Sequence, residues 1–167
     1  METEKQQLFC QTKAQLGEAG FRIERQDESR PWGGFFVIDE SQSQQFADAY
    51  FGGLSVKQLR IAGQLSPKIL LIAPQQRLSW QYHHRRAEIW QVLQGPVGVA
   101  ISDTDTQGEV RTLAVGERIF LRQGERHRLI GLQDWGVVAE IWQHTDAVHS
   151  SDEDDIVRVQ DDFGRTA

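Results

Sequence analysis

From Pro67 onward the chain runs as short apolar segments separated by turns, and no other feature constrains the fold as tightly. Lys68 to Ala73, Arg77 to His84, Ala87 to Leu93 and Val97 to Ser102 read as four strands. After the polar turn Asp103 to Gly108 come Val110 to Val115, Ile119 to Arg122, Arg126 to Leu132 and Val137 to Gln143. Eight strands so closely spaced, with Gly at most joints, predict an all-β barrel or jelly roll.

The residues ahead of this region read differently. Leu8, Phe9, Leu16 and Ala19 have helical spacing over Glu4 to Ala19, and Gly20 can stop that helix. Phe21 to Glu24 and Phe35 to Ile38 read as strands flanking the turn Arg30 to Gly34. Ser41 to Leu54 predicts a second helix, with Ser41 as N-cap and Phe46, Ala49 and Tyr50 on one face. Val56 to Ser66 reads as a long connection, and the acidic run Ser150 to Asp155 as a solvated surface segment.

The chemistry concentrates at Trp80-Gln81-Tyr82-His83-His84-Arg85-Arg86-Ala87-Glu88. Gln81 and His83 stand two apart on a strand and so share a face. Glu88 follows across a turn, with Gly95 seven residues beyond it; Gly116, Gly124 and His127 form a second spaced set. These two patterns resemble the cupin motifs, G-x5-H-x-H-x3,4-E-x6-G and G-x5-P-x-G-x2-H-x3-N. The departures are Gln75 for the first Gly, Gln81 for the first His, Arg122 for Pro and Gly131 for Asn. The resemblance implies a cupin double-stranded β-helix, a jelly-roll barrel, with an N-terminal helix and a helical insertion. The expected organisation is one domain over 1–167: lead-in and insertion over 1–66, barrel core over 67–145 and a C-terminal segment over 146–167.

An amide oxygen from Gln81, imidazoles from His83 and His127 and a carboxylate from Glu88 can together hold one divalent metal ion. With a single negative charge among the ligands, Zn²⁺ is the favoured ion, with Mn²⁺, Co²⁺ and Fe²⁺ as alternatives. If Gln81 only hydrogen-bonds within the barrel, three ligands or none remain. Alternation turns His84 away from this face. His144 and His149 read as surface residues, and Trp90, Trp135 and Trp142 as core.

Within the cupins the resemblance is to the C-terminal isomerase domain of type II phosphomannose isomerases. It is carried by Arg30-Pro31-Trp32-Gly33, Arg77 to His84, Arg86-Ala87-Glu88-Ile89-Trp90, Glu125 to Leu129, Ala139 to Gln143 and the string DDIVRVQDDFGR from Asp154 to Arg165. Asp39 to Ser66 stands outside it as an insertion. That family's ligand pattern opens Gln-x-His, which accounts for Gln81. The resemblance implies a metal-dependent aldose–ketose isomerase acting on a sugar or sugar phosphate. Arg86 and Lys68 match basic residues of the family and would neutralise an enediolate or a phosphate; the bland alternative for Arg86 is a surface ion pair. Arg85 and Ile89 stand where the family commonly has His. Two further readings follow from those departures and from the scaffold's versatility: a non-catalytic sugar-binding cupin, and a cupin oxygenase.

Composition bounds the partners. A net charge of −6 argues against nucleic acid, which needs clustered Lys and Arg. The longest apolar run, Ile69 to Ala73, is far short of the roughly 20 residues of a membrane span. Cys10 stands alone, so no intramolecular disulfide forms, and the charged, Gln-rich first twenty residues do not read as a secretory signal. A cytoplasmic location is expected, and exposed strand edges allow a homodimer.

Overall fold

The computed structural model describes residues 1–60 and 63–165. Two antiparallel sheets face one another. The first takes the order β1-β2-β3-β10-β5-β8, with β1 Ile23–Asp27, β2 Gly33–Ile38, β3 Lys68–Ile72, β10 Gly136–His144, β5 Arg86–Gln94 and β8 Arg118–Leu121. The second runs β11-β4-β9-β6-β7, with β11 Val157–Gln160, β4 Trp80–Tyr82, β9 Arg126–Gly131, β6 Val97–Ser102 and β7 Val110–Leu113. The expected jelly-roll barrel is therefore present, with the eight expected barrel strands, the two lead-in strands and β11.

Side-chain parity explains why the first sheet is apolar on both faces. Along β3, Leu70 and Ile72 join the cluster between the sheets, while Ile69 and Leu71 join a second cluster on the outer face. On β10, Val138 goes inward and Val137, Ala139 and Ile141 outward; on β5, Trp90 and Val92 go inward and Ile89 outward. A strand covered on both sides reads as a continuous apolar run, as Ile69 to Ile72 does.

The outer face is covered by helices. α1, Glu4–Glu18, begins with a capping box: the Thr3 hydroxyl accepts from Gln6 N–H, and the Gln6 side chain accepts from Thr3 N–H. It buries Phe9, Thr12 and Leu16, whereas Ala19, expected on that face, is exposed. The second expected helix divides into a 3₁₀ turn, Glu40–Gln42, and α2, Ser43–Tyr50. Asp39 caps the turn by accepting from Ser41 N–H, so Ser41 is inside the element rather than its N-cap. α2 buries Phe46 against Phe21, Tyr50 and Phe51. Val56–Leu59 forms α3, and residues 61–62 of the expected connection lie outside the described residues.

Gly33 shows how tightly this layer is built. Its φ is +144°, and a Cβ there would stand 1.9 Å from the Leu71 carbonyl oxygen. Gly at the end of Arg30-Pro31-Trp32-Gly33 is therefore set by strand packing.

The acidic run at 150–155 is not wholly solvated. Ser151 and Asp155 are buried, and the segment packs over the β4–β5 turn. His144, expected at the surface, is completely buried: its Nδ1 accepts from Ser151 N–H and its Nε2 donates to the Gln64 carbonyl. Trp90 and Trp142 are buried on inward positions, as expected, and Trp135 is buried beside β10.

Candidate metal centre and cavity

Inward parity on adjacent strands assembles one polar cluster at an end of the barrel. β9 pairs with β4 so that His127 stands opposite Gln81. β10 pairs with β3 and β5 so that Glu140 lies between Lys68 and Trp90, and Glu88 faces Trp142. His83, Glu88 and His127 are buried, and their ligand atoms all lie within 4.8 Å of one another.

Hydrogen bonding fixes which imidazole nitrogens face the cluster. His83 Nδ1 is 2.7 Å from the Asp155 carbonyl oxygen, and His127 Nδ1 is 3.1 Å from the Glu125 carbonyl oxygen. A carbonyl can only accept, so both Nδ1 atoms carry hydrogen, and the tautomer this sets for a neutral ring presents the Nε2 lone pair inward. Those lone pairs meet Glu88 Oε1 at 3.3 Å from His83 and 3.1 Å from His127. His127 Nε2 is buried and has no hydrogen-bond partner. Two imidazole nitrogens and a carboxylate oxygen, with His127 Nε2 left unpartnered, form a donor set suited to a cation. Separations near 3.2 Å suit neighbouring ligands at metal bonds of about 2.1 Å. The residues therefore fit a divalent metal.

Gln81 borders this set without being turned as a ligand. Its amide nitrogen is 3.4 Å from His83 Nε2, and its oxygen accepts from the Ser79 hydroxyl at 2.6 Å. A hydroxyl donates or accepts equally well, so turning the amide over keeps the Ser79 bond and presents oxygen to the centre.

Burial lowers the pKa of His83, and the Glu88 carboxylate beside it opposes that shift. Burial pushes the Glu88 carboxyl up, but the charges of His83 and of the Arg86 guanidinium outweigh it and hold Glu88 well below its usual range. Glu140 goes the other way. Burial and then the neighbouring Glu88 charge push it up to about 8, against the opposing pull of Lys68. Its oxygens accept from Trp142 Nε1 at 2.9 Å and Trp90 Nε1 at 3.3 Å. The motif spacing does not reach Glu140. The available signal was a charge between Ala139 and Ile141, at an inward position of an apolar strand.

Arg86 is not a surface residue. It is buried, donates to Glu88 at 3.2 Å, to the Ser151 hydroxyl and to the Asp152 carbonyl, and stacks 3.9 Å from the Trp142 ring. Lys68 is also buried, 4.7 Å from the same ring. Both line a cavity of about 350 Å³, with Gln81, Glu88, Trp90 and Glu140 in its wall. His84 and His149 are exposed. Ile89 packs in the outer cluster, away from this cavity.

Two facing antiparallel sheets with a buried His–Glu–His cluster between them define a cupin. Residues 42–161 match the family described as mannose-6-phosphate isomerase C-terminal, and the chain belongs to that family. The match begins at residue 42, so it takes in the helical segment that the resemblance in sequence left out. Mannose-1-phosphate guanylyltransferase ManC of Salmonella typhimurium is 29% identical over 136 residues, which are 81% of this chain and 22% of that protein. Xanthan biosynthesis protein XanB of Xanthomonas campestris is 30% identical over 137 residues, 82% of this chain and 23% of the relative. The chain thus spans under a quarter of the length of these curated relatives. The capsular polysaccharide assembling protein CapF of Staphylococcus aureus shares the fold, with a TM-score of 0.54 at 11% identity over 84% of this chain and 34% of that one.

Proposed function

We propose that the chain is a metal-dependent aldose–ketose isomerase acting on a sugar phosphate of the mannose 6-phosphate type. The observation that carries this reading is the convergence of two imidazole lone pairs on the buried Glu88 carboxylate, in the wall of a cavity lined by Lys68 and Arg86. His83, Glu88 and His127 would hold the metal, with Gln81 as a fourth ligand once its amide is turned, and Zn²⁺ suits one carboxylate with two imidazoles. The ion would supply Lewis-acid polarisation of the sugar carbonyl.

The other parts of the reaction fall to the chain's own groups. Isomerisation moves a proton between adjacent carbons and builds negative charge on their oxygens. Arg86 places positive charge in the cavity wall beside Glu88, where burial strengthens its pull on that charge. Glu140 holds a proton near neutral pH and lines the same cavity, so it can give and take one at the wall. Trp90 and Trp142 fix its carboxyl orientation through their indole N–H groups.

The test is metal analysis of the purified protein and of His127→Ala, joined to NMR detection of solvent deuterium entering mannose 6-phosphate. Stoichiometric metal in wild type, its loss in His127→Ala and deuterium incorporation are expected. Full metal in the variant removes the proposed centre. Saturable sugar-phosphate binding without exchange makes the chain a binding cupin instead.

A further inference from the structure

The cavity mouth carries an ion pair between groups far apart in sequence. Among the other cations lining the cavity, Arg30 and Arg165 pair with anions close in sequence: Asp27 at 3.0 Å and Asp161 at 2.8 Å. Lys68 and Arg25 instead converge on one atom. Glu153 Oε1 accepts from Lys68 Nζ at 2.6 Å and from Arg25 Nη2 at 3.0 Å, across separations of 85 and 128 residues. Lys68 comes from inside the barrel with 9% of its side chain exposed, while the Glu153 side chain is half exposed.

We propose that Lys68 and Arg25 form an anion subsite at the cavity mouth, seated in the free protein by the chain's own Glu153 carboxylate and taken over by a phosphate monoester that displaces it.

Three features support the exchange. The cations are held independently of Glu153: Lys68 stands 4.7 Å from the Trp142 ring, and Arg25, Arg30 and Lys68 all lie within 5.9 Å of the Phe35 ring centroid. They therefore remain in place when the carboxylate leaves. Glu153 is also the movable part of an anchored segment. The Asp152 carbonyl before it is bound by Arg86, and the Asp155 carboxylate after it accepts from His84 N–H, Arg85 N–H and the Ser151 hydroxyl. Only a side-chain rotation is required, with no backbone opening. Finally, a phosphate monoester carries about −1.5 to −2 charge near neutral pH and three strong acceptor oxygens, against the single charge of a carboxylate. Two cations sharing one carboxylate oxygen gain by the exchange.

This subsite rests on reading the cavity as a sugar-phosphate site, but its test needs no turnover. Inorganic phosphate is titrated calorimetrically into the full chain as purified, into Glu153→Gln, and into Asp154→Asn, which removes one charge from the same mouth without touching Lys68 or Arg25. Glu153→Gln should bind phosphate about fivefold tighter or better. Asp154→Asn should stay within roughly twofold of wild type, since a screened charge at the rim contributes little. Lys68→Met should lose binding in either background. Equal tightening in both carboxylate variants, or none in Glu153→Gln, overturns the proposal, as does absence of phosphate binding throughout. Isomerisation by a protein whose Glu153→Gln variant binds phosphate unchanged would sink the subsite and leave the reaction standing. Phosphate binding that follows the expected order without turnover would do the reverse.

Discussion

The backbone carbonyl of Asp155 accepts a 2.7 Å hydrogen bond from Nδ1 of His83, seventy-two residues earlier in the chain. That bond sets the imidazole tautomer and turns Nε2 towards Glu88. The Asp155 carboxylate secures the same junction from its other end, through the N–H groups of His84 and Arg85. The orientation of a candidate ligand thus depends on a C-terminal segment lying outside the barrel strands.

Replacing Asp155 with Ala takes the acceptor from two part-buried backbone donors and from the buried Ser151 hydroxyl. Each unmade bond costs about 1–3 kcal/mol, so a loss near 3 kcal/mol is expected in chemical denaturation after partial rescue by water. Metal affinity should fall about 10–100-fold in a chelator competition, as for other supports behind a ligand. Unchanged affinity would show that His83 needs no strap.

Glu140 gives the metal-free protein a pH dependence of defined sign. Its folded carboxyl is raised from 4.5 to about 8, so the folded state holds this proton more tightly than the unfolded chain. The associated stability is present below about pH 4.5 and is lost progressively as pH rises through about 8. Denaturant unfolding in chelator should show wild type weakening between pH 6 and pH 8. Glu140→Gln, which cannot ionise, should show a clearly shallower slope.

Gly33→Ala tests the closeness of β2 and β3. The added methyl would fall 1.9 Å from Leu71 O and 2.9 Å from its carbonyl carbon, both backbone atoms that cannot swing aside. A loss of roughly 3 kcal/mol or more is expected from the clash and the unfavourable φ. Thermal unfolding of the variant measures it. A fall under about 1 kcal/mol would mean the strands separate easily.

The strand pattern was readable because period-two alternation and turn residues are local properties. His83, Glu88 and His127 were readable because a strand–turn–strand fixes which residues share a face. Asp155, Glu153 and His144 were not, since their roles arise from a segment folding back across the β4–β5 turn. A run of acidic residues looks solvated until its partners are known. Spacing makes Gln81 an oxygen donor to the centre, yet Ser79 engages that oxygen in the structure, a competition that residue spacing cannot express. Sequence alone allows Arg86 either a surface or a site position, and the pairing of β10 beside β5 selects the site by placing Trp142 over the guanidinium.

The same logic bears on Ile89, where the sequence resemblance implies a His. Adjacent residues of β5 point to opposite faces, so Glu88 enters the barrel and Ile89 enters the helix-covered outer layer. Its side chain lies in a cluster with Phe36, Ile69 and Ile141, opposite Phe120 on β8. The Ile at this position therefore removes no group from the cavity. Ile89→His would place an imidazole in an apolar layer, with an expected cost of about 2–4 kcal/mol. Metal content and sugar-phosphate turnover per folded molecule should stay unchanged. A gain in turnover of tenfold or more, measured alongside the folded fraction, would show that position 89 communicates with the cavity despite facing away from it.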